Sequence, residues 1–265
     1  MRSTLNCFPM IAIFMITAFS SKQQTTLADI NKIAPSKDTL ACNFKYLRIQ
    51  DKNCKDPHNC SFAEVSFPMF KTLPALNDTI RNRFLSYLNP RHQSNQNIDS
   101  LFNHFAKAYL ATHAGSPIAP TVSYVGLTTW QDRNLVTIAF TQEWDGGAHP
   151  DSHNEFITWN IKADKKLTLQ DILIPGYKKE LNKIAEKIFR KQEKLSPAEP
   201  LVNYFFKNHT FALNNNYQFS PQGISFFYNN YEIKPYADGA TDLPIPYQSI
   251  KHLLRPNTVV SPYIK

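Results

Sequence analysis

With 265 residues, of which 42% are hydrophobic and 13% aromatic, the chain is long enough to bury a sizeable core, and its composition excludes a disordered or fibrous protein. A formal net charge of +8 directs attention to anionic partners or plain solubility; the basic residues come without a helix-turn-helix, zinc-finger or aromatic RNA-binding pattern, which argues against a nucleic-acid reader. No stretch beyond the first twenty residues is long and apolar enough to span a bilayer, and the seven glycines include no nucleotide-binding loop, so neither a permanent membrane span nor a nucleotide cofactor is expected.

At the N-terminus, Met1 and Arg2 precede an uncharged apolar run from Phe8 to Phe19. It is shorter than the roughly 20 residues of a spanning helix, and the small residues Ala18 and Ser20 stand three and one before a cut between Ser20 and Ser21, the profile of a cleaved export signal over residues 1–20. Residues 21–40 are polar and aperiodic and read as a flexible lead-in. The leader takes Cys7 with it and leaves Cys42, Cys54 and Cys60, so one cysteine is odd. Cys54 and Cys60 flank a turn-rich loop suited to a short disulfide in an oxidising compartment, with Cys42 as an alternative partner for either. Three cysteines and His58 match no standard structural zinc spacing.

Strand patterns follow at 43–50 and 62–70, the second alternating Phe62, Glu64, Ser66 and Pro68 with Ala63, Val65, Phe67 and Met69. Leu76, Ile80, Phe84 and Leu88 recur at helical spacing up to Asn89-Pro90, and a second helix is expected from Ile98 to Thr112. Three strands come next: Val122 to Thr128, then Val136 to Trp144 after a turn at Asp132-Arg133-Asn134, then Glu155 to Ile161. Their short connections predict an antiparallel meander. Tyr177, Leu181, Ile184 and Ile188 line one face of a further helix whose other face holds Lys179, Lys183, Lys187, Arg190 and Lys191. That basic stripe offers contact with anionic envelope polymers or headgroups, but Glu180, Glu186 and Glu193 dilute it, and a solvated face is the favoured reading. Short strands at 211–213, 224–228 and 242–245 and a terminal helix from Tyr247 to Leu254 complete an α+β fold, an antiparallel meander sheet packed by helices.

The most distinctive segment is Trp144 to Glu155, which holds Gly146 and Gly147 side by side between two strands. Paired glycines permit positive φ and close approach. On an extended chain His149, Asp151 and His153 would point the same way and supply three ligands for a metal, with Asp145 and Glu155 near enough to orient them or to act as a base. Pro150 interrupts that strand and no standard metalloenzyme motif is matched, so backbone capping by His149 and solvation of the others is favoured, with no metal and no catalytic residue. Tyr231, Tyr236 and Asp238 lie in an aromatic-rich C-terminal block where exposed tyrosines suit a contact patch, though core packing is the favoured role for the block as a whole.

The Gly146-Gly147-Ala148-His149 turn before a strand, the Tyr231 to Gly239 stretch, Ile245-Pro246 before the last helix, and the SFPMF and LNDTI runs of the N-terminal half together resemble paired domains of unknown function in bacterial envelope proteins. The likeness covers residues 42–256. Relatives include the ectodomains of RsiV-type anti-sigma factors, which sense lysozyme, and the N-terminal regions of PdaC-type peptidoglycan deacetylases. The resemblance implies an RsiV-ectodomain-like fold with an N-terminal companion part at 41–165 and a C-terminal part at 166–265, the two forming one unit. It also implies a periplasmic or secreted, non-catalytic binding module without cofactor, whose partner is peptidoglycan or a lysozyme-like protein. A binding set of Asp145, Gly146, Gly147, His149, Tyr231, Tyr236 and Asp238 goes with it; the alternative is an envelope hydrolase working through Asp145 to Glu155.

Overall fold

The computed structural model describes residues 40–264 apart from residues 53, 55–59, 115 and 117. The expected leader, Cys7 and nearly all of the lead-in lie outside the described residues. Strand β1 (Cys42–Gln50) pairs antiparallel with β2 (Phe62–Phe70), Cys42 opposite Phe70 and Gln50 opposite Phe62. The Cys54–Cys60 disulfide lies in the connection between them. Cys42 is buried and is itself disulfide-bonded, where the sequence left one cysteine odd.

After β2 the chain lays β3 (Thr121–Gln131) parallel to it, with Phe62 opposite Thr121 and Ser66 opposite Val125. Parallel neighbours need a crossover, and helices α1 (Pro74–Leu88) and α2 (Ile98–Thr112) supply it. Proline occupies the first turn of α1, where its missing N–H costs nothing, and the helix buries Leu76, Ile80, Phe84, Leu85 and Leu88. The Asn97 side chain caps α2 by accepting from Ser100 N at 3.1 Å. Strands β3, β4 (Leu135–Asp145) and β5 (Asp151–Asn160) form the expected antiparallel meander, and the two-residue β6 (Lys165–Lys166) ends a six-stranded sheet in chain order. The parallel step was not legible in sequence, because periodicity reports faces and not strand direction.

Strand β4 is buried on both faces. Val136, Ile138 and Phe140 join Phe67, Phe84 and Trp159 in the core under α1 and α2. Leu135 joins a second core on the opposite side, and Thr137 points there too, donating to the Phe219 carbonyl at 3.2 Å. That second core lies between the sheet, α3 (Leu169–Ile172), α4 (Lys178–Gln192) and a three-stranded antiparallel sheet of β7 (Tyr217–Phe219), β8 (Gly223–Tyr228) and β9 (Thr241–Pro246).

Two expectations for this half need correction. Residues 211–213 are not a strand: their backbone groups are taken by side chains, with Asn182 bonding Phe211 O (3.3 Å) and Leu213 N (3.0 Å) and the Tyr228 hydroxyl donating to Ala212 O (2.8 Å). The terminal helix is a 3-10 segment over Tyr247–Leu253, broken by a non-helical Ile250 and confined between Pro246 and Pro256.

The two layers are fastened by polar groups. The Thr158 hydroxyl accepts from Phe219 N (3.0 Å) and meets the Thr137 hydroxyl (2.9 Å), so both backbone groups of Phe219 are satisfied. Further along β5, where β6 does not reach, two asparagines stand in for a neighbouring strand. Asn229 accepts from Asn154 N (2.6 Å) and donates to Asn154 O (3.0 Å); Asn216 donates to the same carbonyl (2.7 Å) and accepts from Phe156 N (3.1 Å).

Candidate functional site

The β4–β5 connection is a hairpin loop whose last paired residues are Trp144 and Asp151. Gly146 has φ +132°, and a Cβ placed there would lie 2.5 Å from the Pro120 Cβ, so the position demands glycine. Gly147 does not: its φ is not in the left-handed range and only the His149 carbonyl oxygen approaches within 4 Å, at 3.9 Å. Of the freedom that the glycine pair permits, the turn uses that of Gly146.

Past the glycines, exposed His149 turns towards the segment after β8. Its Nδ1 lies 3.0 Å from the Pro150 carbonyl, which only accepts, so the proton sits on Nδ1 and Nε2 is left to accept from the Tyr231 hydroxyl at 3.3 Å. The imidazole stacks on Tyr236 with centroids 3.9 Å apart, and Tyr231 and Tyr236 are 5.5 Å apart. The Tyr236 hydroxyl donates to the Pro150 carbonyl. Three rings from segments more than eighty residues apart therefore form one surface group, and Tyr231 is 53% exposed.

The presentation of Tyr231 is built into its turn. The Asn229 and Glu232 pair closes it, Asn229 N donating to the Glu232 carboxylate (2.9 Å) and Glu232 N to Asn229 O (3.1 Å). Ile233 is buried just beyond. Between these anchors Tyr231 adopts φ +62°, a left-handed conformation that a tyrosine rarely occupies. Tyr236–Asp238 is a 3-10 turn ended by Gly239 at φ +70°. Asp238 stands apart from the rings, at the rim of a polar depression where Glu193 receives the Lys234 ammonium (3.2 Å) and the Tyr204 hydroxyl (3.1 Å). Burial and the Glu193 carboxylate push the Tyr204 pKa up to about 12.

The remaining residues of the Asp145 to Glu155 segment go elsewhere. Asp145 is exposed at the end of β4, and Asp151 accepts from Ser152 N (2.9 Å). His153 and Glu155 share the β5 face that holds Ile157 and Trp159, turned towards α1, where Glu155 meets Arg83 (2.9 Å) and the Tyr87 hydroxyl (3.2 Å). His153 Nε2 is 3.8 Å from Glu155. The carboxylate raises the histidine pKa above 6.5 against the opposing effect of partial burial, and the histidine in turn lowers the Glu155 pKa against burial, with Arg83 assisting. His149 and His153 thus face different surroundings, and among the described residues no three of the histidines, cysteines and acids gather closely enough to hold a metal ion. The arrangement offers a stacked aromatic surface with hydroxyl and imidazole tips, suited to contacting a ligand with both apolar and hydroxylated faces.

The Asn216 and Asn229 clips were missed in sequence; their only signal was the asparagine-rich runs 214–216 and 229–230, a composition common to turns.

A family model described as "Protein of unknown function (DUF3298)" matches residues 170–248, the segment that carries Tyr231, Tyr236 and Asp238. A comparison with curated proteins returns no match. Among solved structures, the chain is similar to a member of the DUF3298 family from Bacteroides fragilis, with a TM-score of 0.67, 20% identity and coverage of 86% of this chain and 99% of that one. It is also similar to a DUF3298 family protein from Pseudomonas aeruginosa, with a TM-score of 0.64, 20% identity and coverage of 83% and 96%. At that identity the likeness speaks for the fold: a mixed α+β architecture in which a six-stranded sheet packs against helices, joined to a segment that matches a domain of unknown function.

Proposed function

We propose that this chain is an exported cell-envelope binding module that holds a cell-wall glycan of the peptidoglycan type against the His149, Tyr231 and Tyr236 rings. The observation that carries the reading is the meeting of these rings at the surface, with the exposed Tyr231 held in a left-handed conformation. A strained, exposed aromatic residue gains nothing for the core, and such strain is a recurring mark of ligand-contacting positions. Export is supported by the uncharged run Phe8 to Phe19 and by the Cys54–Cys60 disulfide, which suits an oxidising compartment. The resemblance to RsiV-type ectodomains and PdaC-type N-terminal regions supports an envelope role in the same sense. A hydrolase working through Asp145 to Glu155 is the weaker reading, because His149 and His153 face different partners.

Retention of the purified protein on insoluble peptidoglycan tests the proposal. Wild type is expected to be retained, and His149→Ala and Tyr236→Ala to lose roughly 3- to 10-fold in affinity each, the order of one aromatic contact. Retention unaffected by both substitutions, or no retention of the wild type, overturns it. Capture by immobilised lysozyme in place of peptidoglycan would transfer the same surface to a protein ligand.

A further inference from the structure

We infer that the outward face of α4 is a second docking surface, whose partner is a linear, phosphate-bearing polyanion. Sequence alone favoured a merely solvated face, because three glutamates dilute its lysines. The structure shows where two of those glutamates go. Glu186 is tied to Arg190, with Nε at 2.9 Å and Nη2 at 2.8 Å. Glu193 is turned inward to Lys234 and the Tyr204 hydroxyl. Glu180 remains, half-buried in the first turn, where the helix dipole favours a carboxylate.

The lysines are left outside these pairings. Lys178, Lys179, Lys183, Lys187, Lys191 and Lys194 are all exposed, and none takes part in an ion pair among the described residues. Lys183, Lys187 and Lys191 succeed one another at about 6 Å along the axis. They line one shallow cleft together with Leu195, Pro197 and the Glu186–Arg190 pair. Arg190 also donates to the carbonyls of Ser196 (3.3 Å) and Glu199 (2.8 Å), which folds the 195–199 loop back to make the cleft wall. A row of uncompensated ammonium groups along a groove fits a chain of phosphates.

The same helix argues against a bilayer as the occupant. Binding in a membrane interface requires an apolar face to insert, and the apolar residues of α4 are committed to the protein: Leu181, Ala185 and Phe189 are buried, and Ile184 and Ile188 pack on the same core. What the helix itself turns outward is its row of lysines, with only Leu195 and Pro197 of the following loop beside them, so the surface suits a soluble polymer better than a bilayer. It shares no residue with the His149 ring group, so failure there leaves this inference standing.

Fluorescence anisotropy of labelled inorganic polyphosphate with the full chain is the test. Binding is expected at low salt and should weaken steeply as salt rises. The triple variant Lys183→Gln, Lys187→Gln, Lys191→Gln keeps a helix-favouring residue at each position; it should lose about tenfold or more, with the slope of log affinity against log salt shallower by about 2. A control triple with the same charge change at exposed positions off the helix, Lys71→Gln, Lys107→Gln, Lys251→Gln, should bind as wild type. Equal losses in the two triples would reduce the effect to net charge and overturn the inference. So would failure of the wild type to bind polyphosphate, or tighter binding to phosphatidylglycerol vesicles than to the polymer.

Discussion

Of the two adjacent glycines in the β4–β5 loop, Gly146 alone has a backbone that other residues avoid and a neighbour, Pro120, standing where their Cβ would go. Gly146→Ala should lower stability by about 2 kcal/mol or more, and Gly147→Ala should change it by less than about 0.5 kcal/mol, read by chemical denaturation. The pair was conspicuous in sequence because glycine is scarce here, but adjacency does not say which member carries the constraint. His149 was singled out as the residue after a glycine turn and the two tyrosines as members of an aromatic block; nothing in their spacing foretold that they meet.

The His153 and Glu155 pair makes a separate residue-level prediction. The histidine pKa is raised from 6.5, so its contribution is complete below 6.5 and fades as pH climbs through the folded value. The carboxylate pKa is lowered from 4.5, so its contribution is complete above 4.5 and fades as pH falls through the folded value. Both are fully present between these limits. Because both groups are part-exposed the effect is small, and it is best seen by NMR: the His153 titration midpoint should lie above 6.5 in wild type and fall in Glu155→Gln.

Elements were legible where one face is apolar and the other polar. Strands β1 and β2 and helices α1 and α2 fall close to where alternation and helical spacing put them. Strand β4 exceeded that reading because its two faces serve two cores, and alternation marks only one of them. Residues 211–213 read as a strand on hydrophobicity, yet their peptide groups bond to Asn182 and Tyr228, a tertiary arrangement that no local pattern encodes. Where β5 meets β7, Thr158 satisfies the buried amide of Phe219. Thr158→Val keeps the shape and strands that donor, so a loss of about 1–3 kcal/mol in urea unfolding is expected.

At the scale of the whole molecule, β4 and β5 belong to both layers at once. Polar fastening between them is concentrated at Thr137 and Thr158 and where the Asn216 and Asn229 side chains bond the β5 backbone. Each of those amides carries one donating and one accepting end, as a peptide bond does, so it impersonates the missing neighbour of β5. That mimicry turns on which atom is nitrogen. Replacing the amide nitrogen of Asn229 with oxygen, as Asn229→Asp does and as spontaneous deamidation would over time, sets a negative oxygen against the Asn154 carbonyl that nitrogen now serves. Calorimetry should then resolve the single transition expected of wild type into two, the layer bearing Tyr231 melting first. An ageing sample would part along this seam while its covalent chain stayed whole.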